Sequence, residues 1–134
     1  MRADRNATCP CGSGTKAKRC CLPVVEGASQ AADPVALLRA RYCAYGWGAV
    51  GYLIATCSGE AARSSPAELA DYCAGLKLAG LHVFTHDVTG DVGAVHYRAD
   101  LVIRGRPVAL EERARYARIG GRWTYSGGDL VPAS

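Results

Sequence analysis

Four of the chain's seven cysteines fall within thirteen positions, in the run CPCGSGTKAKRCC at residues 9–21. Zinc takes four ligands in a tetrahedron, and a structural site is closed when all four come from the protein. Cys9, Cys11, Cys20 and Cys21 supply that number. One residue separates the first pair and none the second, so the site has to be made by a loop folding over itself. Gly12 and Gly14 allow such a loop because glycine enters backbone regions closed to other residues, and Pro10 stiffens the first pair. Lys16, Lys18 and Arg19 lie near enough in sequence to offset the negative charge that four thiolates leave around a divalent ion. A bridge between Cys20 and Cys21 or between Cys9 and Cys11 would close a very small ring, which makes disulfides the poorer account. A redox switch in which oxidation ejects the metal is the competing chemistry.

Further along, Glu112 is the next residue with chemical interest. In the run PVALEERARYARIG it shares a strand face with Val108, Leu110, Ala114 and Tyr116, whereas Glu111, Arg113 and Arg115 point the other way. A carboxyl group on an apolar stripe needs a hydrogen-bond partner, and it reads either as a paired structural glutamate or as a pocket acid or base. His82, His86 and His96 sit at strand-like spacings without an accompanying cysteine or carboxylate cluster, so they read as surface or rim residues rather than a second metal site. Cys43, Cys57 and Cys73 lie among apolar neighbours and read as small core residues.

The elements that must hold these groups can be traced along the chain. A length of 134 residues with 49% hydrophobic and 21% charged residues is that of one soluble globular domain. The positive net charge of +4 is not spread evenly: residues 1–22 hold five basic residues against Asp4, and the remainder holds eleven of each sign. No apolar leader precedes the cysteines and no stretch approaches the ~18 apolar residues of a membrane span. The expectation is therefore a cytoplasmic protein, where clustered thiols bind metal more often than they form disulfides. Asp33-Pro34 predicts a helix start, with Val35, Leu38, Tyr42 and Tyr45 at helical spacing. A broken second helix follows through YGWGAVGYLIATCS, turning Val50, Leu53 and Ile54 inward. Ser65-Pro66-Ala67-Glu68 predicts a further helix stopping near Gly80. From Leu81 onward, alternation and glycine turns predict four antiparallel strands joined by hairpins. Helices followed by strands give an α+β fold, helices packed on one face of a curved sheet.

Two resemblances rest on these residues. The cysteine run resembles the SEC-C metal-binding motif found in the C-terminal tail of the SecA translocation ATPase, with Cys21 where that tail has histidine. The resemblance implies zinc, with iron as the alternative ion, and a module that docks protein or ribosomal partners. The stretches RARYCAY, YLIAT, LHVF, ERARY and GRWTYSGGDL are similar to the middle domain of the YchJ family, a nuclear-transport-factor-2-like domain. That implies a cystatin-like cone enclosing a pocket, with Arg41, Tyr42, Tyr45, Tyr52, Thr56, Glu112, Arg113, Tyr116, Trp123 and Tyr125 in the pocket or its supporting shell. Family members often carry Trp-His-Pro after the threonine aligned with Thr56, but here Cys57, Ser58 and Gly59 follow. No second SEC-C motif follows the last strand either, and both departures weigh against an enzyme.

The reading is a metal-binding motif over residues 1–23 joined to a cone domain over residues 24–134. Its expected role is binding: a protein or ribosome-associated partner at the basic zinc module and a small molecule in the cone, with no membrane partner. Members of the fold class often dimerise through the sheet, which leaves a homodimer as one expectation. The alternatives are an enzyme using Glu112 as acid or base and a thiol-based redox or metal sensor.

Overall fold

The computed structural model of the chain describes residues 1–132. The first helices are built by local chemistry. After a 3₁₀ turn at Ala17–Arg19, a short helix α1 covers Cys21–Val25. Helix α2, Pro34–Trp47, begins where Asp33 accepts a 2.8 Å hydrogen bond from the Ala36 amide, with proline at the first helical position. Helix α3, Val50–Ala55, is too short to bury more than one face, and Leu53 takes it. Ile54, expected inside, is 39% exposed for that reason. Ser65 caps helix α4, Pro66–Ala74, by accepting from the Glu68 amide.

Four strands complete the chain: β1 Leu76–Thr89, β2 Val92–Ile103, β3 Arg106–Ile119 and β4 Arg122–Leu130. They form one antiparallel sheet in the order β1-β2-β3-β4, as the alternation predicts. The boundary between α4 and β1 differs from the sequence expectation. The helix ends at Ala74, and the strand starts at Leu76 instead of Leu81. Gly80 is not a helix stop but lies within β1, just past a register shift between Leu78 and Gly80, and its amide donates a 2.8 Å hydrogen bond to the Tyr42 hydroxyl. Leu76 and Leu78 pair with Ile103 and Leu101 of β2, a long-range gain that overrides the weak helical pattern of "YCAGLKLAG".

Helix α2 lies along the sheet. It crosses β1 so closely that a Cβ on Gly46 would come within 2.5 Å of the Leu78 side chain. The core divides into two clusters. One joins Cys9, Cys11, Cys21 and Leu22 to Ala40, Cys43 and Trp47 of α2, to Leu53, and to Leu76 and Leu101 of the sheet. The other gathers Leu37, Leu38, Val95, Ala114, Tyr116 and Trp123. Each fully buried large apolar side chain among these contributes roughly 1.5–3 kcal/mol relative to exposure. Among the described residues no helix is long and apolar enough to cross a membrane.

Candidate metal centre and cone cavity

The cysteine loop folds back on itself as its spacing requires. Thr8 bridges Lys16 in antiparallel fashion, the Cys9 amide donates to the Thr15 carbonyl at 2.8 Å, and the Ala17 amide donates to the Ala7 carbonyl at 2.9 Å. Gly12 and Gly14 both have φ +86°, the left-handed region where a side chain would be strained. The turn brings the Sγ atoms of Cys9, Cys11, Cys20 and Cys21 within 4.8 Å of one another. Two of those separations, Cys11 to Cys20 at 3.6 Å and Cys20 to Cys21 at 3.9 Å, bracket the ~3.8 Å edge of a tetrahedron with zinc–sulfur bonds of about 2.3 Å. The donor set and its spacing therefore fit a soft divalent ion, which would close the loop as a structural centre. Cys9, Cys11 and Cys21 are buried, and the Ser13 hydroxyl lies 3.1 Å from the Cys20 sulfur as an outer hydrogen-bond partner.

The electrostatics favour thiolate character at one corner. The Cys21 thiol, then those of Cys43 and Cys9, hold Cys11 far below the ordinary thiol range, while Cys21 is pushed up by the same contact with Cys11. Cys43, read from sequence as a core residue, is fully buried in α2, and it also places its sulfur 3.6 Å from Cys9. It is the residue at this centre that sequence reasoning missed, because 34 positions separate it from Cys9.

On its opposite side, α2 helps to wall a cavity of about 190 Å³ between the helices and the sheet. Of the residues expected there, Arg41, Tyr42, Tyr45, Glu112, Tyr116 and Tyr125 line it. Tyr52 and Trp123 do not, and line a separate depression beside Thr56 and Cys57. Trp123 stands at the start of β4 with the Arg118 guanidinium 5.1 Å above its ring. Arg113 is exposed on the other sheet face. Tyr97, on the same face of β2 as Val95 and Leu101, also joins the cavity wall, outside the set of residues expected there. It sits directly opposite Glu112 across β2 and β3, a pairing visible only once the register is known.

Glu112 is a paired carboxylate at the cavity wall. Tyr97 donates to Oε1 and Tyr125 to Oε2, each at 2.6 Å. Room for this arrangement comes from Gly128, where any Cβ would collide with the Glu112 side chain. Burial first, and then the Glu112 charge, push the Tyr97 and Tyr125 phenols well above the ordinary value. Arg41 is only 6% exposed. Its Nη1 donates to the Leu53 carbonyl at 2.8 Å and to Thr56 Oγ1 at 2.7 Å, and its guanidinium stacks 4.9 Å above the Tyr125 ring. Thr56 thus supports Arg41, and its hydroxyl donates a hydrogen bond to the Tyr52 carbonyl at 2.8 Å.

The histidines do not assemble. His82 pairs with Asp100 at 3.2 Å and His96 with Glu111 at 2.6 Å, while His86 is exposed. Among the described residues the four-cysteine set is the one group of three or more ligand-type side chains close enough to share an ion. Cys73 is buried, and Cys57 donates to the Leu53 carbonyl.

The sequence profile of the SEC-C motif matches residues 5–23, and that of the YchJ middle NTF2-like domain matches residues 33–128. Over 126 residues the chain is 37% identical to the UPF0225 protein YchJ of Shigella dysenteriae, covering 90% of this chain and 81% of that protein. A solution structure of a SEC-C motif containing protein from Rhodopseudomonas palustris superposes with a TM-score of 0.84 at 28% identity, covering 94% of this chain and all of the other. A crystal structure of a SEC-C motif containing protein from Psychrobacter arcticus shares the fold at TM-score 0.81 and 18% identity, covering 97% of this chain and 86% of that one. A thiol loop of SEC-C spacing set against an NTF2-like cone, matched by profile and by sequence over most of its length, makes this chain a member of the YchJ family.

Proposed function

We infer that the protein is a zinc-binding adaptor with a ligand-binding cone. The observation that carries the metal reading is the convergence of four thiols at tetrahedral spacing. A closed, all-sulfur tetrahedral set is the donor set of structural zinc and is shared by iron, so zinc is taken as the resident ion and the metal analysis reads both. The centre belongs to the motif spanning residues 1–23 and the pocket to the domain spanning 24–134. Lys16 and Arg19 are exposed beside the thiol loop and Lys18 is half-buried beside Asn6, while Arg5 pairs with Glu26, so Lys16, Lys18 and Arg19 are the positive charge the module offers an acidic protein or ribonucleoprotein partner. Seven free thiols suit a reducing compartment such as the cytoplasm. The cone offers an apolar cavity with two charged groups for a small molecule.

Metal analysis of protein purified without an affinity resin tests the centre. One equivalent of zinc is expected in the unmodified chain and its loss when Cys9 and Cys20 are both changed to serine. Full metal content in the double variant removes the assignment. For docking, the full chain is expected to capture a partner that a chain with Lys18→Glu and Arg19→Glu does not, and identical capture by both counts against it.

A further inference from the structure

We propose that the cavity binds a small organic acid, with Arg41 receiving its carboxylate and the leucines and phenol rings enclosing an apolar body about the size of one aromatic ring. This rests on reading the cone as a ligand pocket and names the class of ligand that pocket takes.

Arg41 is a buried cation without a counter-charge. Among the described residues no carboxylate forms an ion pair with it. Its Nη1 is held by a carbonyl and a hydroxyl, both neutral, the Cys57 thiol lies within hydrogen-bond reach of the guanidinium, and among the described residues no oxygen accepts from Nε or Nη2. The titratable groups around it are the Tyr45, Tyr52, Tyr116 and Tyr125 phenols and the Cys57 thiol. Burying a guanidinium against neutral partners alone is costly, whereas a carboxylate meeting its free N–H groups restores charge balance through charge-assisted hydrogen bonds. Glu112 does not fill that role. Both of its oxygens are taken by phenols, and the Tyr125 ring lies under the guanidinium with its hydroxyl on Glu112. Nη1 is anchored to the end of α3, and Arg41 is among the residues that line the cavity.

Size and wall chemistry set the rest of the ligand. An apolar cavity of about 150 Å³ accepts benzene, so the 190 Å³ here suits a single ring or a short branched chain. Leu38, Leu101 and Leu110 supply the apolar wall, and the exposed side chains of Tyr72 and Leu130 mark where the cavity meets solvent. Glu112, one phenol away from Arg41 in the same cavity wall, disfavours a second negative charge, so the class is the monoacid.

The test uses the full metal-loaded chain, titrated by NMR with benzoate, phenylacetate and hexanoate and with their uncharged primary amides. Each acid is expected to bind about tenfold more tightly than its amide, the worth of one charge-assisted hydrogen bond. Arg41→Gln is expected to abolish that preference while amide affinity stays within about twofold, and Arg41→Lys to keep part of it. Should Arg41→Gln not fold, the Arg41 Nε–H resonance of the unmodified protein decides: it shifts with acids and not with amides. Equal binding of acids and amides overturns the proposal and leaves the pocket reading standing. Failure of every compound to bind overturns both.

Discussion

Cys43 shows how a single side chain can stand beside a metal centre without belonging to it. Its sulfur touches Cys9, yet the four-thiol group that shares one short separation excludes it. Cys43→Ala is therefore expected to retain one equivalent of metal while lowering stability by ~1 kcal/mol through the small void it leaves, measured by metal analysis and urea unfolding. Loss of metal in that variant would make Cys43 a ligand. The cavity phenols give a second expectation. Burial raises Tyr97, Tyr116 and Tyr125 and pushes Tyr52 up to about 12. The folded state holds these protons more tightly than the unfolded chain, whose phenols titrate near ~10. The stability they contribute is thus complete below that value and is lost as pH rises through the raised folded values. Thermal midpoints should fall steeply above pH ~10, and phenol ionisation followed by absorbance should coincide with unfolding; ionisation in the intact fold would contradict the packing.

At the level of elements, what could be read from the sequence was what neighbouring residues decide. The Asp33 cap, the Ser65 cap and the apolar stripe of β3 that carries Glu112 are local patterns, and all appear as expected. Three things were hidden because they depend on residues far away along the chain. Gly80 is a strand glycine because of its place beside Asp100 and Tyr42, and Tyr97 is a partner of Glu112 because of strand register. Trp123 packs with Leu37 and Val95 and lines the depression beside Thr56 instead of the cavity, a placement set by how β4 meets α2. The close crossing of α2 over β1 supplies a test at this scale. Gly46→Ala forces a methyl group against Leu78 and is expected to cost about 1–3 kcal/mol. Gly46→Ala combined with Leu78→Ala should cost less than the sum of the two, since the truncated leucine makes room. Strict additivity in denaturant unfolding would place the two residues out of contact.

On the scale of the whole molecule, the metal loop and the cone share one apolar cluster, running from Cys9 and Leu22 through α2 to Leu76. Arg2 adds a backbone hydrogen bond to the Trp47 carbonyl at 2.8 Å. Stripping the ion with a chelator is therefore expected to lower the unfolding temperature of the entire chain in a single transition. An ion held at about a thousandfold excess over its dissociation constant contributes ~4 kcal/mol to folding. Two separate transitions in calorimetry, the later one unmoved by the chelator, would show that the cone stands without its module.

The strand order carries one more implication, for the route by which the chain reaches this structure. Every strand is joined to the one before it in sequence, so three successive hairpins complete the sheet without any segment threading between partners already zipped. Contacts of short sequence separation close fastest. The slow step is then the landing of α2, whose bonds to Gly80 and the sheet span dozens of residues. A kinetic experiment would find the hairpins formed early and the helix arriving last.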